Sequence, residues 1–265
     1  MPILADSHVH LDDSRFDGDR NDVLDRARDS SVSIQIVPGV DAASWPRIKT
    51  LCATYSGLYP AYGLHPMFLA QHRPEHLASL PQWLQQENAI AVGEIGLDFY
   101  IEGLDPELQR HYFLRQLELA RESDLPVIVH ARRALEEVTL TLRRVGGLSG
   151  VVHSFSGSLE QAQQLWRLGF HLGIGGPVTY ERAQRLRQVV AQMPIEFLLL
   201  ESDAPDQPDA SHRGQRNEPA YVADVLRCVA TLRGESEEHV AEATTANARR
   251  LFKLDPVDRD QPSHS

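Results

Sequence analysis

Six side chains able to hold a metal ion, His8, His10, Glu94, His130, His153 and Asp203, each stand at the polar end of a short apolar run. In extended chain, residues two apart face the same side, so His8 and His10 can grip one ion together. Glu94 follows the run Ala89-Ile90-Ala91-Val92-Gly93, with no cation beside it in sequence. An isolated buried charge is very costly, and a carboxylate with two oxygens can bridge two ions where an imidazole cannot. His130 ends Pro126-Val127-Ile128-Val129 and His153 ends Gly150-Val151-Val152. Either histidine alone would read as a hydrogen-bonded core residue. Two at corresponding ends of successive runs, with Asp203 closing the most apolar run of the chain, make a two-metal hydrolase site. Two divalent ions formally carry +4 and the carboxylates of Glu94 and Asp203 remove 2, leaving +2, which favours an anionic substrate such as a phosphodiester. Mixed nitrogen and oxygen ligation suits Zn²⁺, Mn²⁺, Fe²⁺ or Co²⁺ better than Mg²⁺, without choosing among them.

Eight strand-like runs must position these groups: residues 3–8, 32–38, 58–64, 89–95, 126–130, 150–153, 170–175 and 196–203. Amphipathic segments lie between them. Over 106–123, Leu108, Phe113, Leu114, Leu117 and Ala120 are spaced for one apolar helical face. Asp105 offers the N-cap and Pro106 the first helical position. Asn217 is placed to cap a helix over 218–233 that Gly234 ends. Strand and helix alternating eight times predict an α/β fold, a single (β/α)₈ barrel over 1–254. An open doubly wound sheet would usually carry a glycine-rich phosphate turn after its first strand, where this chain has His8-Val9-His10. Barrel sites lie at the carboxyl ends of the strands, where the six candidates fall. The polar stretch 255–265 reads as a frayed tail.

At 265 residues, 42% hydrophobic and 24% charged, the composition is that of an ordinary globular chain. No run approaches the roughly 20 apolar residues of a membrane span, and the start lacks the features of a secretory signal, so the cytoplasm is the expected compartment. Cys52 and Cys228 read as buried free thiols. A net charge of −11 argues against broad adhesion to nucleic acid and leaves room for a local basic channel.

At these residues the chain resembles the TatD family of metal-dependent deoxyribonucleases, within the wider amidohydrolase-like barrels. The resemblance is carried by residues 6–11, Gly63-Leu64-His65-Pro66, 93–98, 129–133, His153-Ser154-Phe155-Ser156-Gly157, 199–205, 213–219 and 247–252. It implies that His8, His10, Glu94 and Asp203 hold one metal and that Glu94, His130 and His153 hold the other, Glu94 bridging. Ser202 stands where the family commonly has threonine, and Ala131 where serine is also seen. The loop from Ser211 to Pro219 is also similar to the family's, and its Arg213 and Arg216 are expected to clamp phosphate oxygens. His65 is expected to contact substrate or to support a ligand.

The reading is a hydrolase with two divalent cations, a deoxyribonuclease trimming single-stranded DNA ends 3′ to 5′, with Asp203 and Glu94 as catalytic residues. The direction comes from the resemblance. An alternative is a lactonase, esterase or cyclic amidase, since the same metal chemistry attacks a carbonyl. Many of those enzymes bridge their metals with a modified lysine, where this chain has Glu94. A non-enzymatic metal-holding scaffold would have lost a ligand, and none is lost. No membrane association and no obligate protein partner are expected.

Overall fold

The computed structural model describes residues 2–254. Eight strands alternate with helices: β1 (Leu4–Asp6), β2 (Val32–Pro38), β3 (Leu58–Tyr62), β4 (Ala91–Asp98), β5 (Val127–Arg132), β6 (Gly150–Val152), β7 (Phe170–Ile174) and β8 (Leu198–Leu200). The helices are α1 (Arg20–Asp29), α2 (Trp45–Thr54), α3 (Pro74–Gln86), α4 (Pro106–Glu122), α5 (Leu135–Val145), α6 (Leu159–Arg167), α7 (Gln184–Gln192), α8 (Val222–Arg233) and α9 (Glu237–Leu251). Strands pair in chain order, each parallel to the next. The Ser7 N–H donates to the Leu200 carbonyl and the Asp203 N–H to the His8 carbonyl, both at 2.9 Å, bringing the last strand back to the first. The molecule is the expected (β/α)₈ barrel. The tail expected at 255–265 lies outside the described residues. Among the described residues no helix is long and apolar enough to cross a membrane.

Side-chain alternation divides the core in two. Leu198 and Leu200 face the helices with Val127, Val129, Leu172 and many helix residues, while Leu199 faces the barrel axis with Ile34, Ile36, Ala61, Ile128 and Val151. Ala248, Leu251 and Phe252 join the axial cluster. Asn247 fixes that end of α9, donating to the carbonyls of Ile195 and Leu198 at the start of β8. Towards the strands' amino ends the axis is therefore filled mainly with hydrocarbon, His171 standing there beside Val151, while the candidate metal ligands gather at the carboxyl ends.

Helix α4 starts as expected, with the Asp105 carboxylate accepting from the N–H groups of Glu107 and Leu108 behind Pro106. Its buried face differs: Leu108 is exposed, and Gln109 and Gln116 are buried beside Phe113 and Leu117. Each amide clamps one residue of the barrel rim. Gln109 exchanges two hydrogen bonds with the Asp98 backbone and Gln116 two with Leu64. Such buried loop backbone needs partners, and these polar residues supply them where an apolar stripe could not. Asn217 is likewise not a side-chain cap of α8, which starts only at Val222. Its amide donates to the carbonyls of Ser202, Asp206 and Gln207, pinning the turn that follows Asp203. Gly234 ends α8 in the left-handed conformation, as expected. Cys52 and Cys228 are free and only partly buried.

Candidate metal centre

The hydrogen-bonded ladder does not end on the six candidate residues. β1 stops two residues before His8, β6 one before His153 and β8 three before Asp203, whereas β4 and β5 run past Glu94 and His130. Strand pairing and side-chain delivery separate here because the rim turns inward over the axis. Ser154 (φ 46°) and Asp203 (φ 55°) adopt the left-handed conformation at these turns. At Glu94 the β4–β5 register breaks between Val92 and Ile95. The Glu94 N–H instead donates to the Gly39 carbonyl. Gly63 permits this arrangement: a Cβ there would lie 2.6 Å from the Gly93 carbonyl carbon and 2.9 Å from the Glu94 nitrogen.

All six side chains converge around Glu94, which is 2% exposed. Its Oε2 lies 3.2 Å from His8 Nε2 and 3.6 Å from His10 Nε2. Those two nitrogens are 3.2 Å apart, and Asp203 Oδ1 lies 3.7 and 3.6 Å from them. A tetrahedral ion with bonds of 2.0–2.2 Å places its ligand atoms roughly 3.3–3.6 Å from one another, so this set has the spacing of a four-ligand site. Glu94 Oε1 faces a second set, 2.7 Å from His153 Nε2 and 3.2 Å from His130 Nδ1, with those nitrogens 3.2 Å apart. One carboxylate thus presents one oxygen to each nitrogen pair, and the donors present fit two cations.

His65 also reaches Glu94 Oε1, at 2.9 Å. Its Nδ1 accepts the Met67 N–H. Burial lowers the ring to about 4 against the raising effect of Glu94, so it is neutral. A neutral ring whose Nδ1 accepts carries its proton on Nε2. His65 therefore donates to Glu94 and holds that carboxylate in place.

Electrostatics favour cations at this point. Burial would raise the Glu94 carboxyl, but His65, His153 and His8 outweigh it and hold it well below the carboxylate range. Burial would lower His10, but the Asp203 hydrogen bond and Glu94 push it up to about 9. Against the same burial, the bond to His10 and the rings of His153 and His8 hold Asp203 below its ordinary value.

Four supporting residues escaped the sequence reading. Asp98 Oδ2 lies 3.0 Å from His130 Nε2, which leaves Nδ1 free to ligate. Glu201, fully buried, accepts the Ser154 N–H at 2.6 Å and lies 3.8 Å from His153 Nδ1. Gln207 donates to Asp203 Oδ2 and exchanges hydrogen bonds with Ser154. Asp6 accepts the N–H groups of His8 and Ser202 and the Ser202 hydroxyl, so serine does there what the family's threonine hydroxyl could do. Burial pushes Asp6 up to about 7 despite those bonds. The only sequence signal for Asp98 is its position four residues after Glu94 on the same strand. Two further carboxyl groups beside the histidines also offset the formal +2 of the sequence count.

A cavity of about 910 Å³ opens above the centre. His10, His65, Glu94, His130, His153 and Asp203 form its floor, and Arg15, Arg132 and Arg133 are its basic lining residues. Arg213 and Arg216 do not line it. Arg213 is exposed on the outer loop. The Arg216 guanidinium is committed to Asp19, Glu218 and the Arg15 carbonyl, which corrects the expectation that it clamps phosphate.

This barrel, with its histidine–carboxylate centre at the carboxyl ends of the strands, is that of a metal-dependent hydrolase. A family model described as TatD related DNase matches residues 5–253. The chain belongs to the TatD family. It is 42% identical over 256 residues to the uncharacterized metal-dependent hydrolase YjjV of Escherichia coli K12, covering 95% of this chain and 98% of that one. The crystal structure of YjjV, a TatD homolog, superposes with a TM-score of 0.92 at 39% identity over 95% of this chain and 98% of that one. A relative in Erwinia billingiae named 3′-5′ ssDNA/RNA exonuclease TatD is 34% identical over 261 residues, covering 95% of this chain and 99% of that one.

Proposed function

We propose that this hydrolase uses two divalent cations to trim single-stranded DNA from its 3′ end. The observation that carries the reading is the split of Glu94: Oε2 faces His8 and His10, and Oε1 faces His130 and His153. His8, His10, Glu94 and Asp203 would hold one ion, and Glu94, His130 and His153 the other, with one protein ligand fewer. When bound, such ions supply Lewis acidity, bringing the pKa of a water near neutrality and offsetting charge on phosphodiester oxygens. Asp203 turns Oδ1 to the histidines and keeps Oδ2 on Gln207. In this reading Oδ2 takes the proton of the attacking water, and Gln207 holds that oxygen in place. Asp98 and His65 fix the His130 tautomer and the Glu94 carboxylate, so little rearrangement is needed when charge develops.

The nucleic-acid substrate is supported by relatives named ssDNA/RNA exonucleases and by Arg132 and Arg133 on the cavity wall, which form no ion pair among the described residues. The test is an activity screen of protein reconstituted with Mn²⁺ or Zn²⁺. It compares single-stranded DNA, RNA, simple phosphodiesters, lactones and cyclic amides, with Asp203→Asn as control. Release of mononucleotides from 3′ ends, falling by orders of magnitude in Asp203→Asn with little change in binding, is expected. Turnover of a lactone or amide with none of DNA would overturn the reading.

A further inference from the structure

Beyond the metal ligands, β5 continues through Ala131 to Arg132, with Asp98 opposite Arg132 in the ladder, and Arg133 follows in the left-handed conformation. Arg132 lies two residues past His130 and so shares its face of the strand, about 6–7 Å further out along the cavity wall. Tyr100 sits just past the end of β4, its N–H held by Asp98. The Arg132 guanidinium carbon is 3.7 Å from the Tyr100 ring centroid and that of Arg133 is 4.6 Å from it. Both arginines are exposed, and neither forms an ion pair with a carboxylate among the described residues. In a chain of net charge −11, two adjacent arginines left without a carboxylate at the lip of the cavity need an explanation. Tyr100 itself is 47% exposed. Resting the guanidinium faces on a ring by cation–π attraction orders them while leaving their N–H edges for another partner.

Across the barrel, the lip built by the chain after β1 and β8 has the opposite charge. Asp12, Asp13 and Asp206 line it, and its one arginine, Arg15, is held by Asp13 and Asp206 together. The cavity is therefore cationic on the β4–β5 side and acidic on the β1–β8 side. Such a field would favour a polyanionic strand on the β4–β5 side.

We propose that Arg132 and Arg133, ordered on Tyr100, clamp the backbone phosphate next to the scissile linkage. The acidic lip opposite then admits a single terminal nucleotide and no continuing strand. The assignment rests on the nuclease reading and gives end-trimming a physical basis in this fold: the retained strand runs over β4–β5, and the released nucleotide faces Asp12, Asp13 and Asp206.

The test crosses protein variants with substrate charge. A single-stranded oligonucleotide carrying a neutral methylphosphonate at the penultimate linkage keeps its scissile bond and loses only the clamped charge. The metal-loaded wild type is expected to prefer the all-phosphate strand by about tenfold or more in kcat/KM, by analogy with other charge-assisted phosphate contacts. In Arg132→Ala/Arg133→Ala that preference should fall to about twofold or less, with Tyr100→Leu between the two. A double variant that still discriminates in full overturns the clamp, as does a wild type indifferent to the methylphosphonate. Binding is measured in parallel with strands whose terminal linkage is a non-hydrolysable phosphonate. A protein that cleaves no DNA yet binds these strands with charge discrimination lost in the double variant refutes the nuclease reading and leaves the clamp standing. A protein that cleaves DNA without such discrimination refutes the clamp alone. A protein that neither cleaves nor binds DNA refutes both.

Discussion

Asp98→Asn separates the two halves of the centre. The Asp98 carboxylate is fully buried and has two duties. Oδ1 accepts the N–H groups of Tyr100 at 2.9 Å and Ile101 at 3.2 Å, while Oδ2 receives the His130 Nε2 proton at 3.0 Å. In the asparagine variant those two backbone donors keep the amide oxygen at the Oδ1 position, so the NH₂ group faces His130. Nε2 must then accept, and the ring proton moves to Nδ1, the atom that faces Glu94 and His153. A hydrogen bond to a charged group contributes about 1.5–3 kcal/mol, and each 1.4 kcal/mol is about tenfold in affinity. The ion proposed for Glu94, His130 and His153 should therefore bind roughly 10–150-fold more weakly, in line with the ~10–100-fold typical of lost supporting contacts. The ion proposed for His8, His10, Glu94 and Asp203 should change far less. Titration of stripped protein with Mn²⁺ in a calorimeter resolves the two events, and circular dichroism checks that the variant is folded. Equal weakening of both sites, or of neither, would refute the argument that Asp98 acts through the His130 tautomer.

Two further outcomes follow from ionisation. The metal-free site holds His10 up to about 9, so at pH 7 an arriving ion must displace a proton. Affinity should therefore climb with pH until about pH 9 and fall below it. Calorimetry in buffers of different ionisation enthalpy should show at least one proton released on loading; zero release would sink this. His171, buried on β7, is lowered by that burial to about 4 from 6.5. Between those values the unfolded chain binds a proton that the folded chain refuses, so stability is complete above about pH 6.5 and is lost as pH falls toward 4. The loss is about 3 kcal/mol at one His of this shift. In His171→Phe, the difference in urea midpoint between pH 7 and pH 4.5 should narrow; an unchanged difference would assign the acid sensitivity to other groups.

The order of the eight strands and all six residues at the centre could be read from the chain alone. Each is a local contrast: an apolar run that ends on a metal-capable side chain, repeated at intervals that helices fill. Burial of those runs and delivery of their last polar residue to one rim are consequences of a closed parallel barrel, so local pattern and global site agree. Where pairing stops was not legible. The ladder ends before His8, His153 and Asp203 and passes Glu94 and His130, because inward turns and a register break are set by neighbouring strands.

The supporting contacts and the charge pattern of the cavity wall were decided only by tertiary structure. Asp98 meets His130 because of the β4–β5 pairing, and Glu201 meets the Ser154 backbone across 47 residues. Arg216, basic and in a loop near the end of β8, looked free in sequence, yet folding brings it to Asp19, 197 residues away. Arg132 and Arg133 looked no more distinctive than other arginines until the barrel placed them on the cavity wall with no carboxylate to pair with among the described residues. A residue's type and its place in a repeating pattern travel with the chain. Which charge neutralises which is set by closure of the barrel, because the electrostatic partner of a side chain is whatever the fold puts within a few ångströms of it.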